Sequence, residues 1–365
     1  MKKTEICICG GGNLAHVAGG YLAAKSGYSV RLLTRRPEKW CVAGSPLIVE
    51  DLAGNIFSGR FSLITSDART ALEGADIVLL CVPGFAIADE LKEIGAYITG
   101  NMYVGSIVSS TGFFFIAHKL LGDDVGLFGL QRVPFIARTD EYGSRARLLG
   151  YKTSLSAAVS RISEPDLLAS MLSAMFDVPV TLLDNYMKVT LSNSNPILHP
   201  SRLYGMFGNG QEIYDSEILF YEEWDVGSSE ILISCDREFR NVASSFGVRE
   251  EDIPSLLEYY DSSDAVSLTE KIRSISAFKG LKAPMIRIDD NKFIPDYSSR
   301  YFTEDIPFGL LMVKALAQKQ GIATETIDAV IGWAQQAMKK QYLCNGALIG
   351  SDLPDTIVPY VLSGE

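Results

Sequence analysis

Histidine is scarce in this sequence: only His16, His118 and His199 occur among 365 residues, which argues against a histidine-rich metal site. The six cysteines, Cys7, Cys9, Cys41, Cys81, Cys235 and Cys344, form no CxxC pair and no zinc-finger spacing. Cys7, Cys9 and Cys81 fall in apolar strand patterns, where a thiol is a small core residue, and all six are read as reduced. Long apolar runs are missing too. None reaches the roughly 18 residues of a membrane helix; residues 77–82 are strand-length, and residues 107–116 are broken by Ser and Gly. The opening Met1-Lys2-Lys3-Thr4-Glu5 runs straight into a strand pattern, without the apolar core or cleavage site of a signal peptide. The expected location is the cytoplasm, with no membrane partner. Positive charge is also in deficit, 33 Lys+Arg against 44 Asp+Glu, a formal net charge of −11. That field repels a polyanion, so no nucleic-acid partner is expected.

What is present is apolar material, 47% of the residues, enough for large cores in a chain whose length implies two domains. The first half alternates. Residues 5–9, 29–34, 77–82 and 103–109 read as strands, and residues 13–25, 68–72, 87–98 and 114–121 as helices; residues 48–66 hold shorter β-like pieces. Strands alternating with helices imply a parallel sheet covered on both faces. From about Pro165 the spacing becomes helical, over residues 167–176, 186–192, 215–246, 253–260, 267–278, 308–320 and 325–338. The expected architecture is an α/β Rossmann domain, a doubly wound parallel sheet over residues 1–185, followed by a mostly α-helical substrate and catalytic domain over residues 186–365.

Ile6-Cys7-Ile8-Cys9-Gly10-Gly11-Gly12-Asn13-Leu14-Ala15 sets a glycine turn between a strand and a helix, with the spacing G-x-G-x-x-A of a dinucleotide fingerprint. Gly10 permits the tight turn, Gly12 lets a pyrophosphate approach the backbone, and Ala15 lets the helix pack on the strand. Asn13 and Leu14 open the helix, whose free N–H groups suit phosphates. About 20 residues on, NAD enzymes carry an acid for the ribose 2′-hydroxyl. This chain has Thr34-Arg35-Arg36 instead. A hydroxyl and two guanidiniums suit a 2′-phosphate, so the expected cofactor is NADP, with NAD still open. Val82 and Pro83 end the apolar strand on the sheet edge where such a cofactor lies. Ser109-Ser110-Thr111-Gly112 ends another strand on that edge and suits a nicotinamide or a bound acid, or is ordinary loop.

In the second half, Asn193-Ser194-Asn195-Pro196-Ile197-Leu198-His199-Pro200 holds an imidazole between two prolines. Histidine is the side chain suited to moving a proton near neutral pH, though a helix-capping role is an equal reading. His16 and His118 read as structural. Asp305, ahead of Pro307, is either a helix N-cap or the partner that orients an imidazole. Arg300 has the fork that clamps a carboxylate. The aromatic run Phe220-Tyr221-Glu222-Glu223-Trp224 fits a pocket wall or plain core.

These pieces together resemble the opine dehydrogenases, the octopine/nopaline dehydrogenase family. The resemblance rests on Gly10-x-Gly12-x-x-Ala15, on residues 133–138 (Val-Pro-Phe-Ile-Ala-Arg), on Asn195-Pro196-Ile197-Leu198-His199-Pro200, and on Arg300 with residues 304–310 (Glu-Asp-Ile-Pro-Phe-Gly-Leu). It implies a Rossmann domain followed by an α-helical one, with the active site in the cleft between them. It implies that His199 and Asp305 are the catalytic pair, that Arg300 contacts a substrate carboxylate, that Asn193 lies beside the amino acid, and that Ser110 and Arg132 border the 2-oxo acid. The implied reaction is NAD(P)H-dependent reductive condensation of an α-amino acid with a 2-oxo acid through an imine. Two departures stand out. Thr34-Arg35-Arg36 differs from NADH-specific members, and Arg132 replaces a small hydroxyl residue of some relatives, which suits a 2-oxo acid larger or more acidic than pyruvate. A ketopantoate reductase-like reductase of keto acids and a non-catalytic NAD(P)-binding sensor are the alternatives; a homodimer is left open.

Overall fold

The computed structural model describes residues 3–40, 45–110, 112–357 and 361–362, so Cys41 and Thr111 lie outside the described residues. The chain divides into two compact units, Met1–Thr190 and Leu191–Glu365. Among the described residues the first unit carries twelve strands: β1 (Thr4–Cys9), β2 (Tyr28–Leu33), β3 (Leu47–Asp51), β4 (Ile56–Gly59), β5 (Leu63–Thr65), β6 (Ile77–Leu80), β7 (Tyr103–Ile107), β8 (Gly126–Leu130), β9 (Phe135–Glu141), β10 (Arg145–Tyr151), β11 (Leu155–Ser160) and β12 (Val180–Leu183). Its helices are α1 (Asn13–Ala23), α2 (Ala68–Leu72), α3 (Ile87–Gly95), α4 (Phe113–Leu120), α5 (Pro165–Phe176) and α6 (Met187–Thr190).

The main sheet has eight strands in the order β12-β11-β8-β7-β6-β1-β2-β5. From β8 to β5 every neighbouring pair is parallel. β6 and β1 lie in the middle of this parallel part. All four residues of β6 and the last four of β1 are buried, as a strand covered on both faces requires. The chain runs from β1 outward to β2 and β5, then crosses back to β6. The order therefore reverses between β1 and β6, and their carboxyl ends form the crevice where doubly wound sheets bind ligands. Beyond β8 the sheet departs from the all-parallel expectation: β11 runs antiparallel to β8, and β12 parallel to β11.

A second, four-stranded sheet has the order β4-β3-β10-β9; β3 and β4 fall in the expected β-like pieces of residues 48–66, whereas β9 and β10 are not among the expected strands. It packs on α1, which touches both sheets. Small residues permit this. A Cβ on Gly20 would stand 2.6 Å from Val49 Cγ2, and one on Gly59 would stand 2.2 Å from the Gly20 carbonyl oxygen. Helix α1 and strand β4 thus meet backbone to backbone, which fixes the helix whose N-terminus follows the glycine loop.

The second unit is mostly helical: α7 (Asn195–Phe207), α8 (Val226–Ser245) and further helices at Ala265–Ser274, Leu311–Gln320 and Glu325–Ala337. It is not wholly α. Two small hairpins, Met285–Asp289 with Lys292–Pro295 and Leu343–Cys344 with Ala347–Leu348, interrupt it. Its largest fully buried side chains include Trp224, Arg202, Phe220 and Phe302.

The approach at Gly59 predicts an overpacking cost. Gly59→Ala sets a methyl against a backbone carbonyl, which cannot rotate away, and should destabilise the fold by about 3 kcal/mol. A denaturation midpoint unchanged from wild type would show that α1 is free to shift.

Candidate active site

The turns that follow β1 and β6 meet. Gly10 has φ +135°, and a Cβ there would stand 2.6 Å from the Cys81 carbonyl oxygen, so only glycine serves. On Gly12 a Cβ would meet nothing within 4 Å; that face is open. No side chain caps the start of α1, and its first N–H groups and positive dipole end remain available to an anion. Gly10, Gly12, Thr34, Arg35, Arg36, Val82 and Pro83 all line one cavity of about 670 Å³. Asp89, Glu90 and Glu93 line it too. Burial pushes the Glu90 carboxyl up to about 7, helped by Glu93 and opposed by the Cys9 thiol and Arg35.

Asn13, Leu14 and Ala15 do not line the cavity. Asn13 Oδ1 accepts from the Thr139 amide at 3.0 Å, Leu14 packs on the core and Ala15 is fully buried against it. What these positions offer a phosphate is backbone. One wall of the cavity was not legible in the sequence: Tyr142, on the turn between β9 and β10. That turn is tied to the glycine loop by His16. The Gly143 amide donates to His16 Nε2 at 2.8 Å, so Nδ1 carries the proton and donates to the Gly12 carbonyl at 2.8 Å. The imidazole is fully buried, stacked on Trp40 at 4.0 Å with Tyr142 edge-on at 4.9 Å. Burial lowers its pKa, against the hydrogen bond to Gly12.

The second unit brings His199 and Asp305 together. His199 lies in α7 and Asp305 precedes a π-helical segment, Ile306–Leu310. Gly309 lets this segment approach α7, since a Cβ on it would stand 2.9 Å from Pro196 Cγ. Asp305 makes no side-chain cap; its Oδ2 lies 2.8 Å from His199 Nδ1. His199 Nε2 lies 3.0 Å from the Tyr221 hydroxyl. Arg202, one turn beyond His199 and buried, donates to the carbonyls of Phe220 at 3.0 Å and Glu223 at 2.6 Å and pairs with Asp225. It pins the aromatic run to α7 and so holds Tyr221 in place. Burial raises the Tyr221 pKa, which keeps the hydroxyl protonated at neutral pH. Tyr301 meets the His199 ring edge-on at 4.8 Å.

The remaining expected residues are placed as follows. Arg300 is largely exposed and pairs with Glu304, one turn along the chain. Asn193 Oδ1 accepts from the Asn195 amide at 3.2 Å, at the entry to α7. Ser110 is half-buried in the turn before α4, and Arg132 is exposed after β8. Neither lines the glycine-loop cavity. His118, read as structural, bonds the Ser160 hydroxyl at 2.9 Å.

A doubly wound sheet with this glycine-loop cavity at its switch point defines a dinucleotide-binding protein, and its relatives identify the chemistry. Residues 182–338 match the family model described as NAD/NADP octopine/nopaline dehydrogenase, alpha-helical domain. Residues 6–112 match that of ketopantoate reductase PanE/ApbA. Octopine dehydrogenase of Pecten maximus is 31% identical over 97% of this chain and 95% of its own. The opine dehydrogenase of Haliotis discus hannai is 30% identical over 98% and 96%. A solved structure of octopine dehydrogenase with NADH and L-arginine is similar at a TM-score of 0.87 and 29% identity, covering 99% of this chain and 97% of that one. The chain belongs to the octopine/nopaline, or opine, dehydrogenase family, and is an NAD(P)-dependent oxidoreductase acting on a CH–NH bond. The ketopantoate reductase family model stops at residue 112, whereas the opine dehydrogenase relatives match nearly the whole chain at about 30% identity, so that alternative is not favoured.

The burial of His16 has a consequence for stability. Its pKa is lowered in the folded state, so its contribution is complete above the unfolded value of 6.5 and is lost as pH falls through the folded one. The stability gap between wild type and His16→Gln should narrow as pH falls below about 6.5 in urea titrations. A constant gap would mean that the imidazole tolerates a proton in place.

Proposed function

We propose that this chain joins an α-amino acid to a 2-oxo acid as an opine dehydrogenase, using NADPH in preference to NADH, with His199 as acid/base and Asp305 as its partner. The observation that carries the proposal is the 2.8 Å contact between His199 Nδ1 and Asp305. It supports a set tautomer, with Nδ1–H donating to the carboxylate, and a carboxylate that stabilises the imidazolium. Octopine dehydrogenase has been solved with NADH and L-arginine, with NADH and agmatine, and with NADH and pyruvate. An amino acid and a 2-oxo acid are the substrate classes we carry over.

The residues present fit a dinucleotide. Gly12 opens on free space beside an uncapped helix N-terminus, and Thr34, Arg35 and Arg36 line the same cavity. The glycine loop would hold the pyrophosphate and Arg35-Arg36 a 2′-phosphate, the guanidinium fork suiting phosphate geometry. The nicotinamide supplies the hydride. The chain does the rest. Condensation loses a water molecule and changes the protonation of nitrogen, and His199 supplies and takes back those protons. Arg300 would exchange its exposed pairing with Glu304, worth little in water, for a substrate carboxylate. Arg132 favours a 2-oxo acid with additional negative charge.

The test is oxidation of NADPH and of NADH with pairs of amino and 2-oxo acids, including pyruvate, oxaloacetate and 2-oxoglutarate. Turnover should require both partners, and kcat/KM should be higher with NADPH. Full activity with a 2-oxo acid alone would refute the condensation, and equal or better use of NADH would refute the cofactor preference. His199→Ala should lower kcat by about 10²–10⁴-fold. A loss below about tenfold in a folded variant would remove His199 from acid/base work.

A further inference from the structure

We propose that Tyr142 is a cofactor-discriminating residue: its hydroxyl, with that of Thr34, completes a 2′-phosphate site whose cations are Arg35 and Arg36. The inference rests on the NADPH preference proposed above and names a residue that the glycine fingerprint and the basic turn do not include.

Four observations converge on it. Tyr142 lines the same cavity as Gly10, Thr34, Arg35 and Arg36, although it is more than a hundred residues away and comes from the second sheet. Its hydroxyl and that of Thr34 straddle Gly11, lying 2.7 Å and 3.1 Å from where a Cβ on that glycine would stand. Thr34 follows the second strand, where dinucleotide-binding sheets contact the ribose 2′ position. A hydroxyl beside it is therefore in reach of a group on that carbon. Finally, the tyrosine is held. His16 fixes the turn through the Gly143 amide at 2.8 Å, and the ring packs against His16 at 4.9 Å and Trp40 at 5.7 Å. Gly143 itself has φ +76°, and a Cβ on it would stand 2.2 Å from the Lys39 carbonyl oxygen, so only glycine fits where this turn packs on Lys39.

The chemistry of such a site follows. Guanidiniums supply charge and long-range attraction, but an exposed pair on flexible stems selects weakly among anions. A phenol fixed in direction donates one hydrogen bond to a phosphate oxygen, and a bond to a charged acceptor is stronger than a neutral one. A free 2′-hydroxyl gains less from the same donor. Tyr142 should therefore matter for NADP(H) and little for NAD(H).

Tyr142→Phe keeps the ring that packs on His16 and Trp40 and removes only the hydroxyl. Binding of NADP⁺, NAD⁺, 2′,5′-ADP and 5′-AMP to the whole protein, measured by calorimetry, gives a readout free of turnover. The expected result is a roughly tenfold rise in Kd for NADP⁺ and 2′,5′-ADP, with NAD⁺ and 5′-AMP within about twofold of wild type. Equal weakening of all four ligands, or no change, would overturn the inference. The double variant Arg35→Ala/Arg36→Ala separates it from the reading beneath it. If that variant loses the preference for NADP⁺ while Tyr142→Phe retains it, the basic turn alone discriminates. If wild type itself binds NAD⁺ more tightly, the cofactor preference and this inference fall together.

Discussion

The close approach of Gly10 to the Cys81 carbonyl is the constraint on which the dinucleotide site depends. Because a methyl would stand 2.6 Å from that oxygen, the turns after β1 and β6 can pack together only through glycine. Their contact places the start of α1 at the point where strand order reverses. The same economy of side chains recurs along α1, whose Gly20 lies under Gly59 of the second sheet. Backbone contact with the second sheet sets the position of this helix. Its N-terminal amides are consequently a fixed array rather than a fraying end, which is the condition for a helix terminus to bind an anion selectively.

The second unit solves a different problem with different means. His199 and Asp305, proposed as the acid/base pair, are 106 residues apart in sequence and have to be held at hydrogen-bonding distance. Two features provide this. Gly309 lets the π-helical segment after Asp305 lie against Pro196, at the start of the helix that carries His199. Arg202 then anchors the Phe220-Tyr221 run beside that helix through two backbone carbonyls and Asp225. A buried guanidinium is costly unless its donors are satisfied, and here they are. Its role is placement: it sets Tyr221 against one nitrogen of His199 while Asp305 occupies the other.

How much of this was legible in the sequence follows from the range of the signals. β1, β6 and the glycine loop are local patterns, an apolar run and a fixed glycine spacing, and they were readable. So was the change to helical texture. Helix α7 does not read as a helix because Pro200 in its interior argues locally against one, although Pro196 in its first turn is compatible with a helix start. The second sheet was hidden because β9 alternates buried and exposed residues and carries charge, as a strand with one wet face does. Its register depends on partners up to a hundred residues away. At the site, residue types with a chemistry of their own stood out: Arg35, Arg36, His199, Asp305. Tyr142 does not stand out, and Tyr221 reads, with its aromatic run, equally as pocket wall or core, because an aromatic residue has an equally good explanation in packing. Only the fold separates the two cases, by setting one hydroxyl at the glycine loop and the other on an imidazole nitrogen. His16, which reads as structural, ties the glycine loop to the turn that carries Tyr142 through the Gly12 carbonyl and the Gly143 amide.

The two units also differ in what they can specify. The first resembles the ketopantoate reductases over residues 6–112, and a dinucleotide cradle of that kind is common to many chemistries. Within it, specificity reduces to which charges and hydroxyls meet the cofactor's adenosine end, a matter of a few side chains on rigid turns. That wall is mixed here: guanidiniums at Arg35 and Arg36 share the cavity with Asp89, Glu90 and Glu93. Burial pushes the Glu90 carboxyl up to about 7 and so weakens the negative charge that would oppose a phosphate. The chemistry that distinguishes a CH–NH oxidoreductase from a reductase of keto acids cannot come from that cradle, because hydride supply is the same in both. It has to come from groups that manage protons and carboxylates. In this chain those candidates, His199, Asp305 and Arg300, all fall within residues 182–338, the stretch that matches the opine dehydrogenase helical domain.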